Sequence, residues 1–273
     1  MKKLLCLIIL FFGSCAFAND LCVTTYDLTS AWSQFLSRAS GSNYIHKTIL
    51  ERYLEKEAQK YLGGKINIKI DSFSTNDLKA GKFKSLKGTG ENLTLDKLTI
   101  SKVTLESLCS YNRLEKLDNN YQFATDFPAD LTLEFSTDDL NQITQTKDYK
   151  KVIKNINDTL LGLLRIENVN FEVKENKLWY DLIFSTPFSP KKQTVSVGTT
   201  LNLNNGDIEV NRADAKGKSS ILNLISMSDA LNFINPLDFS TKILENKNID
   251  ADIKEAYVSG DKVVIKAFVN IRK

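Results

Sequence analysis

Lys65-Ile66-Asn67-Ile68-Lys69-Ile70-Asp71 places every isoleucine on one side of an extended chain. A strict two-residue period of this kind specifies a strand with one buried face. The same alternation returns in Leu131-Thr132-Leu133-Glu134-Phe135. It returns again in Val169, Phe171 and Val173, followed across the polar turn Glu175-Asn176-Lys177 by Leu178 to Phe184, which reads as a hairpin. Leu201 and Leu203 face Ile208 and Val210 across Asn204-Asn205-Gly206-Asp207, whose Asn-Gly pair suits a tight primed turn. Ile249 to Val258 and Val263 to Ile271 flank Ser259-Gly260-Asp261, while Pro187 and Pro190 interrupt the strand pattern between the other hairpins. Many hairpins and no βαβ alternation predict an antiparallel α+β plan.

Between Leu93 and Leu108 the apolar positions advance in alternating steps of two and three. A square β-helix would need several stacked coils of such a repeat, and this run supplies about one. Short strand pieces broken by bulges, each bending the sheet, fit better. Helical periodicity covers Asn43 to Leu62, where Ile45, Ile49, Leu50, Tyr53, Leu54, Ala58, Tyr61 and Leu62 form one apolar stripe stopped by Gly63-Gly64. Leu28 to Leu36 reads as a further helical turn or two. Ser136 with Asp139 is a helix start. The stripe Tyr149, Val152, Ile153, Ile156, Leu160, Leu163 and Leu164 predicts a greasy, deeply buried helix, and Ser219 to Ile234 a third, with a shorter one from Pro236 to Leu244.

The first residues carry a different message. Lys2 and Lys3, the apolar run Leu4 to Phe12 and Ala16-Phe17-Ala18 make an export signal, with cleavage expected after Ala18. The apolar run is too short for a bilayer span, which takes about 20 residues. Phe12-Gly13-Ser14-Cys15 offers the alternative of a lipoprotein box with Cys15 acylated. The expected organisation is a signal peptide at 1–18, an N-terminal helical segment at 19–64 and a single curved-sheet α+β domain at 65–273. Destination in either case is the periplasm or cell envelope of a bacterium. Loss of Lys2 and Lys3 brings the 36 basic residues close to the 33 acidic ones, a balance that gives no electrostatic case for nucleic acid, nor for a strongly anionic membrane surface. No transmembrane helix is expected in the mature chain.

Of the 4 cysteines, Cys6 lies in the signal and Cys15 leaves with it on cleavage after Ala18. Cys22 and Cys109 remain, as one disulfide in an oxidising compartment or as two separate buried thiols. Two distant cysteines and the single His46 do not make a closed metal ligand set, so neither metal nor other cofactor is expected.

Catalytic signatures are sparse. His46 sits early in a helix beside Lys47, a surface or cap position more than a general base. There is no Gly-x-Ser-x-Gly elbow, and Gly88-Thr89-Gly90 precedes strands and lacks the Gly-Lys-Ser/Thr of a phosphate cradle. Asp138-Asp139 is the obvious acidic cluster, and first-turn acids serve the helix dipole. Trp179 and Tyr180 are neighbours on a strand, so one of them faces the core.

Leu86-Lys87-Gly88-Thr89-Gly90-Glu91-Asn92-Leu93-Thr94-Leu95-Asp96, followed by Ile100-Ser101 and by Leu105 to Asn112, resembles the bacterial LmeA-like family of exported phospholipid-binding proteins. Phe135 to Tyr149, with Asp139-Leu140-Asn141, and Phe233-Ile234-Asn235-Pro236-Leu237-Asp238-Phe239 fit the same order, so the resemblance runs from about Lys65 to the C-terminus. It implies a tubular lipid-binding type of fold, in which a strongly curved antiparallel sheet wraps a long amphipathic helix around an elongated apolar cavity. It transfers no individual residue.

The leading expectation is therefore a non-catalytic envelope protein that holds a phospholipid or other acyl chain by apolar burial. The residues expected to line the cavity are Ile153, Ile156, Leu160, Leu163, Leu182 and Phe184; the competing expectation is that they pack a solid core. A secreted scaffold or interaction module that binds an envelope protein partner is the alternative function, and an envelope hydrolase using paired carboxylates a third.

Overall fold

The computed structural model describes residues 22, 25–95, 98–117, 120–160, 164–187, 189–216, 231–241, 244 and 247–273. Along them run α1 (Ala31–Ala39), α2 (Ser42–Gln59), β1 (Lys65–Asp71), α3 (Thr75–Lys79), β2 (Lys82–Phe83), β3 (Ser85–Leu95), β4 (Leu98–Ser107), β5 (Asn112–Leu117), β6 (Asn120–Phe123) and β7 (Phe127–Ser136). There follow α4 (Thr137–Ile143), α5 (Lys147–Thr159), β8 (Arg165–Lys174), β9 (Lys177–Thr186), β10 (Ser189–Asn204), β11 (Asp207–Lys216), α6 (Pro236–Thr241), β12 (Ile249–Ser259) and β13 (Lys262–Ile271). The chain is α+β and its strand pairings are antiparallel, as the alternation predicts. The export signal, Cys15, and most of the helical pattern from Ser219 lie outside the described residues.

Turn chemistry accounts for the hairpins. Glu175 and Asn176 both have positive φ, as do Asn205 and Gly206, so each pair makes the two-residue primed turn whose twist matches its strands. Val169 lies opposite Leu182, and Leu201 opposite Val210, which puts their side chains on one face. The run from Leu93 to Leu108 resolves into the end of β3 and all of β4, one hairpin with Leu93 opposite Ile100.

The single sheet expected for residues 65–273 is instead three open sheets. One has six strands in the order β1-β3-β4-β7-β13-β12, one has four in the order β11-β10-β9-β8, and one has three, β2-β5-β6. The division follows the chain path: β8 to β11 are consecutive hairpins that pair only among themselves, while the last strand, β13, inserts between β7 and β12. Bulges at Ile166/Asn168, Gly198/Thr199 and Ile253/Glu255 bend the longer strands. The expected long helix over Tyr149–Leu164 is the 13-residue α5, closed at its C-cap by Leu160. Among the described residues no sheet wraps around it; it lies alongside β8. One continuous apolar cluster joins Leu133 and Phe135 of β7, Val263 and Ile265 of β13, Leu140 and Ile143 of α4, and Val169, Phe171 and Tyr180 of the four-stranded sheet.

Three of the sheet edges are closed by side chains. Ile68 and Ile70 of β1 donate their N–H groups to Glu55 at 2.9 Å and Glu51 at 2.8 Å. On β8, Phe171 exchanges two hydrogen bonds with Asn141, Val173 donates to Thr137, and Ile166 exchanges two with Asn157. On β11, Val210 donates to Asn232 and Ile208 accepts from Asn235. Unpaired strand edges invite aggregation, and here side-chain carboxylates, amides and a hydroxyl occupy them. β12, the remaining edge of the six-stranded sheet, carries Asp250, Asp252, Lys254 and Glu255 and a bulge.

Candidate functional site

Burial falls steeply along α5. Thr146 caps its start by accepting the Tyr149 N–H, and the Tyr149 hydroxyl donates to Ile234 O at 3.0 Å. The Tyr149 ring meets Phe171 edge-on and tilts against Phe239 at 5.2 Å, and Phe171 meets Tyr180 edge-on at 5.0 Å. This end is plugged: Tyr149 is 1% exposed. Burial pushes the phenols of Tyr149 and Tyr180 well above their ordinary range, so both stay neutral. The Tyr180 hydroxyl has no hydrogen-bond partner among the described residues.

One turn further on, the apolar side chains lose their cover. Ile153, Ile156 and Leu160 are half-buried, with Ile153 and Ile156 packed on the margin of the core. Asn157 grips Ile166, and Ile166 lies opposite Phe184 in the sheet. Leu182 is half-buried between Val169 and Val195, whereas Phe184 is buried and belongs to the core. Leu163 lies outside the described residues. Of the residues expected at the site, Ile153, Ile156, Leu182 and Phe184 join one apolar cluster, where Leu164 and Ile166 add further half-buried apolar surface.

A concavity elsewhere in the fold was not legible in the sequence. A groove of about 640 Å³ runs under α2, with Leu50, Leu78 and Leu114 among its apolar residues and His46, Lys79, Arg113 and Glu115 among its polar ones. His46 Nδ1 lies 3.0 Å from Ser42 O, so the ring is engaged with its own helix backbone. The predicted stripe of α2 is split: Leu50 and Leu54 pack against the core and Glu51 is buried on β1, while Ile45 and Ile49 face outward. An edge strand needs acceptors for its free N–H groups, and that demand outweighs the helix's apolar period.

The buried acids are structural. Asp139 forms a capping box with Ser136 and also accepts the N–H and hydroxyl of Ser101. Asp77 accepts from Ser74, and from both the N–H and hydroxyl of Thr29, which latches the N-terminal segment. Burial raises the Asp77 carboxyl, but these hydrogen bonds outweigh it and hold the group below the usual carboxylate range. Trp179 and Tyr180 divide as expected. Tyr180 enters the core, and Trp179 lies on the other face against Gly198, with the Lys216 ammonium 4.3 Å from its ring centre.

Cys22 and Cys109 are joined by a disulfide, with Cα atoms 5.5 Å apart. Among the described residues no three His, Cys, Asp or Glu side chains group to hold a metal, and no helix is long and apolar enough to cross a membrane. Compared with known protein families, curated proteins and solved structures, the chain matches none.

Proposed function

We propose that this is an exported, non-catalytic carrier that holds a phospholipid or other acyl chain against the C-terminal half of α5, in the handling of cell-envelope lipids. The observation that carries the reading is the gradient along that helix. Its first turn is sealed by a ring of aromatic side chains, while Ile153, Ile156 and Leu160 are only partly covered, as is Leu182 on β9. Apolar surface left at the margin of a core gains about 0.8 kcal/mol for each methylene that covers it, so an acyl chain binds there without a charged clamp. The resemblance of the Leu86–Asn112 and Phe233–Phe239 segments to LmeA-like proteins supports the same ligand class. The hydrogen bonds of Asp77 and Asp139 serve helix capping and the anchoring of Thr29 and Ser101.

Native mass spectrometry of gently purified protein tests the reading. The expected result is an adduct of phospholipid or fatty-acid mass, lost in Ile156→Asp while circular dichroism stays unchanged. Only the bare polypeptide mass from several membrane-containing preparations, together with no uptake of a fluorescent long-chain fatty acid, overturns it.

A further inference from the structure

α1 is built inside out. Its polar side faces the protein: Ser37 accepts the Thr75 N–H at 2.7 Å and shares a hydroxyl contact with Thr75, and Gln34 donates to Thr29 O at 2.8 Å. At ~100° per residue, Trp32 and Phe35 fall on the opposite side. They are 69% and 60% exposed and stack on each other at 5.6 Å, and no residue of the helix is buried. A helix of a water-facing domain ordinarily turns such a stripe inward. The latch of Thr29 on Asp77 and the Cys22–Cys109 disulfide hold the helix in this orientation.

α2 carries a second outward apolar face. Glu51 and Glu55 are turned onto β1 and Glu57 is paired with Lys60 at 2.6 Å, so the acids of this helix are already engaged. The outward arc carries Ile45, Ile49, Arg52 and Lys56, with Arg38 exposed on α1. Exposed aromatic and aliphatic side chains among free cations are complementary to one kind of partner in particular. Trp and Tyr rings sit at the headgroup level of a bilayer, and lysines and arginines meet anionic lipid.

We propose that the outward faces of α1 and α2 form a docking site for the surface of an anionic lipid bilayer. A carrier of the kind proposed above needs such a surface to load and unload, and the inference rests on that reading for its purpose. The docking face uses none of the residues assigned to the acyl chain. A failure of vesicle binding is therefore distinguishable from absence of a bound lipid in native mass spectrometry.

The test is flotation of the protein, as isolated and with its N-terminus read from intact mass, on vesicles of phosphatidylglycerol and phosphatidylethanolamine against vesicles of phosphatidylcholine alone. Binding is expected to the anionic vesicles, weakened by salt and reduced about tenfold or more in Trp32→Ala/Phe35→Ala and in Arg52→Glu/Lys56→Glu. Of the 2 tryptophans, Trp179 is 2% exposed, so a blue shift of emission on vesicle addition reports Trp32. Absence of vesicle binding overturns the proposal, as does binding that survives both double variants. A dimer in light scattering that dissociates in Trp32→Ala/Phe35→Ala also overturns it, by assigning the face to a second copy of the chain.

Discussion

The carboxylate of Glu51 accepts the backbone N–H of Ile70 at 2.8 Å, a helix side chain completing the hydrogen bonding of an edge strand 19 residues away. Glu55 repeats the contact at Ile68, and Asn141, Asn157, Asn232 and Asn235 do the same work on β8 and β11. The domain closes these edges with side chains instead of further strands.

Replacing Glu51 by Ala leaves a buried N–H without an acceptor, at a cost of about 1–3 kcal/mol in a urea titration. Glu51→Gln, which retains a carbonyl acceptor, costs less. Glu51→Ala/Glu55→Ala frees two neighbouring N–H groups on β1 and is expected to add concentration-dependent self-association in sedimentation velocity.

The Cys22–Cys109 bond closes a loop with a sequence separation of 87 residues. Chain-entropy arguments give such a crosslink roughly 4–5 kcal/mol, as an upper figure. Cys22→Ser/Cys109→Ser is expected to lower the urea midpoint and to expose the segment before α1 to protease. Reduction of the wild type should reproduce both effects.

Acid weakens two anchoring points. Burial raises the Glu134 carboxyl, but hydrogen bonds from Lys102 at 2.7 Å and Lys262 at 2.9 Å outweigh it, so this group, like Asp77, stays below the ordinary carboxylate value. With the folded value depressed, the unfolded chain binds more protons, so the contribution is complete above the unfolded value and lost as pH falls through the folded one. Stability should therefore drop below about pH 4, and less steeply in Asp77→Asn. Denaturant midpoints across that window measure it.

Gly81 has φ of +75°, and a Cβ there would stand 2.0 Å from Leu114 O. Gly81→Ala is expected to cost more than about 2 kcal/mol, because strain and clash act together. Gly260 also has positive φ but meets nothing within 4 Å, and Gly260→Ala should cost only about 1 kcal/mol. Thermal melts of the two variants make the comparison.

Local rules carried much of the fold. The turns at Asn176 and Gly206, the strand at Lys65–Asp71 and the capping box of Ser136 and Asp139 are all encoded within a few residues of themselves. Sheet membership was not legible, because the position of β13 beside β7 depends on partners far away in sequence. Periodicity marked the apolar faces of α2 and α5 without saying what covers them. Ile45 and Ile49 point outward because β1 needs the carboxylate on the other face. Leu182 and Phe184 share a strand face, yet one is half-covered and the other enclosed, according to neighbours the pattern does not contain.

β13 is the last strand of the chain and lies between β7 and β12 in its sheet. A polypeptide delivered from its N-terminus therefore holds Phe127–Ser136 beside an empty lane until Lys262–Ile271 emerge. The six-stranded sheet cannot mature progressively along the chain. Vectorial emergence leaves it waiting on Lys262–Ile271, and loss of that strand removes an interior plank of the sheet.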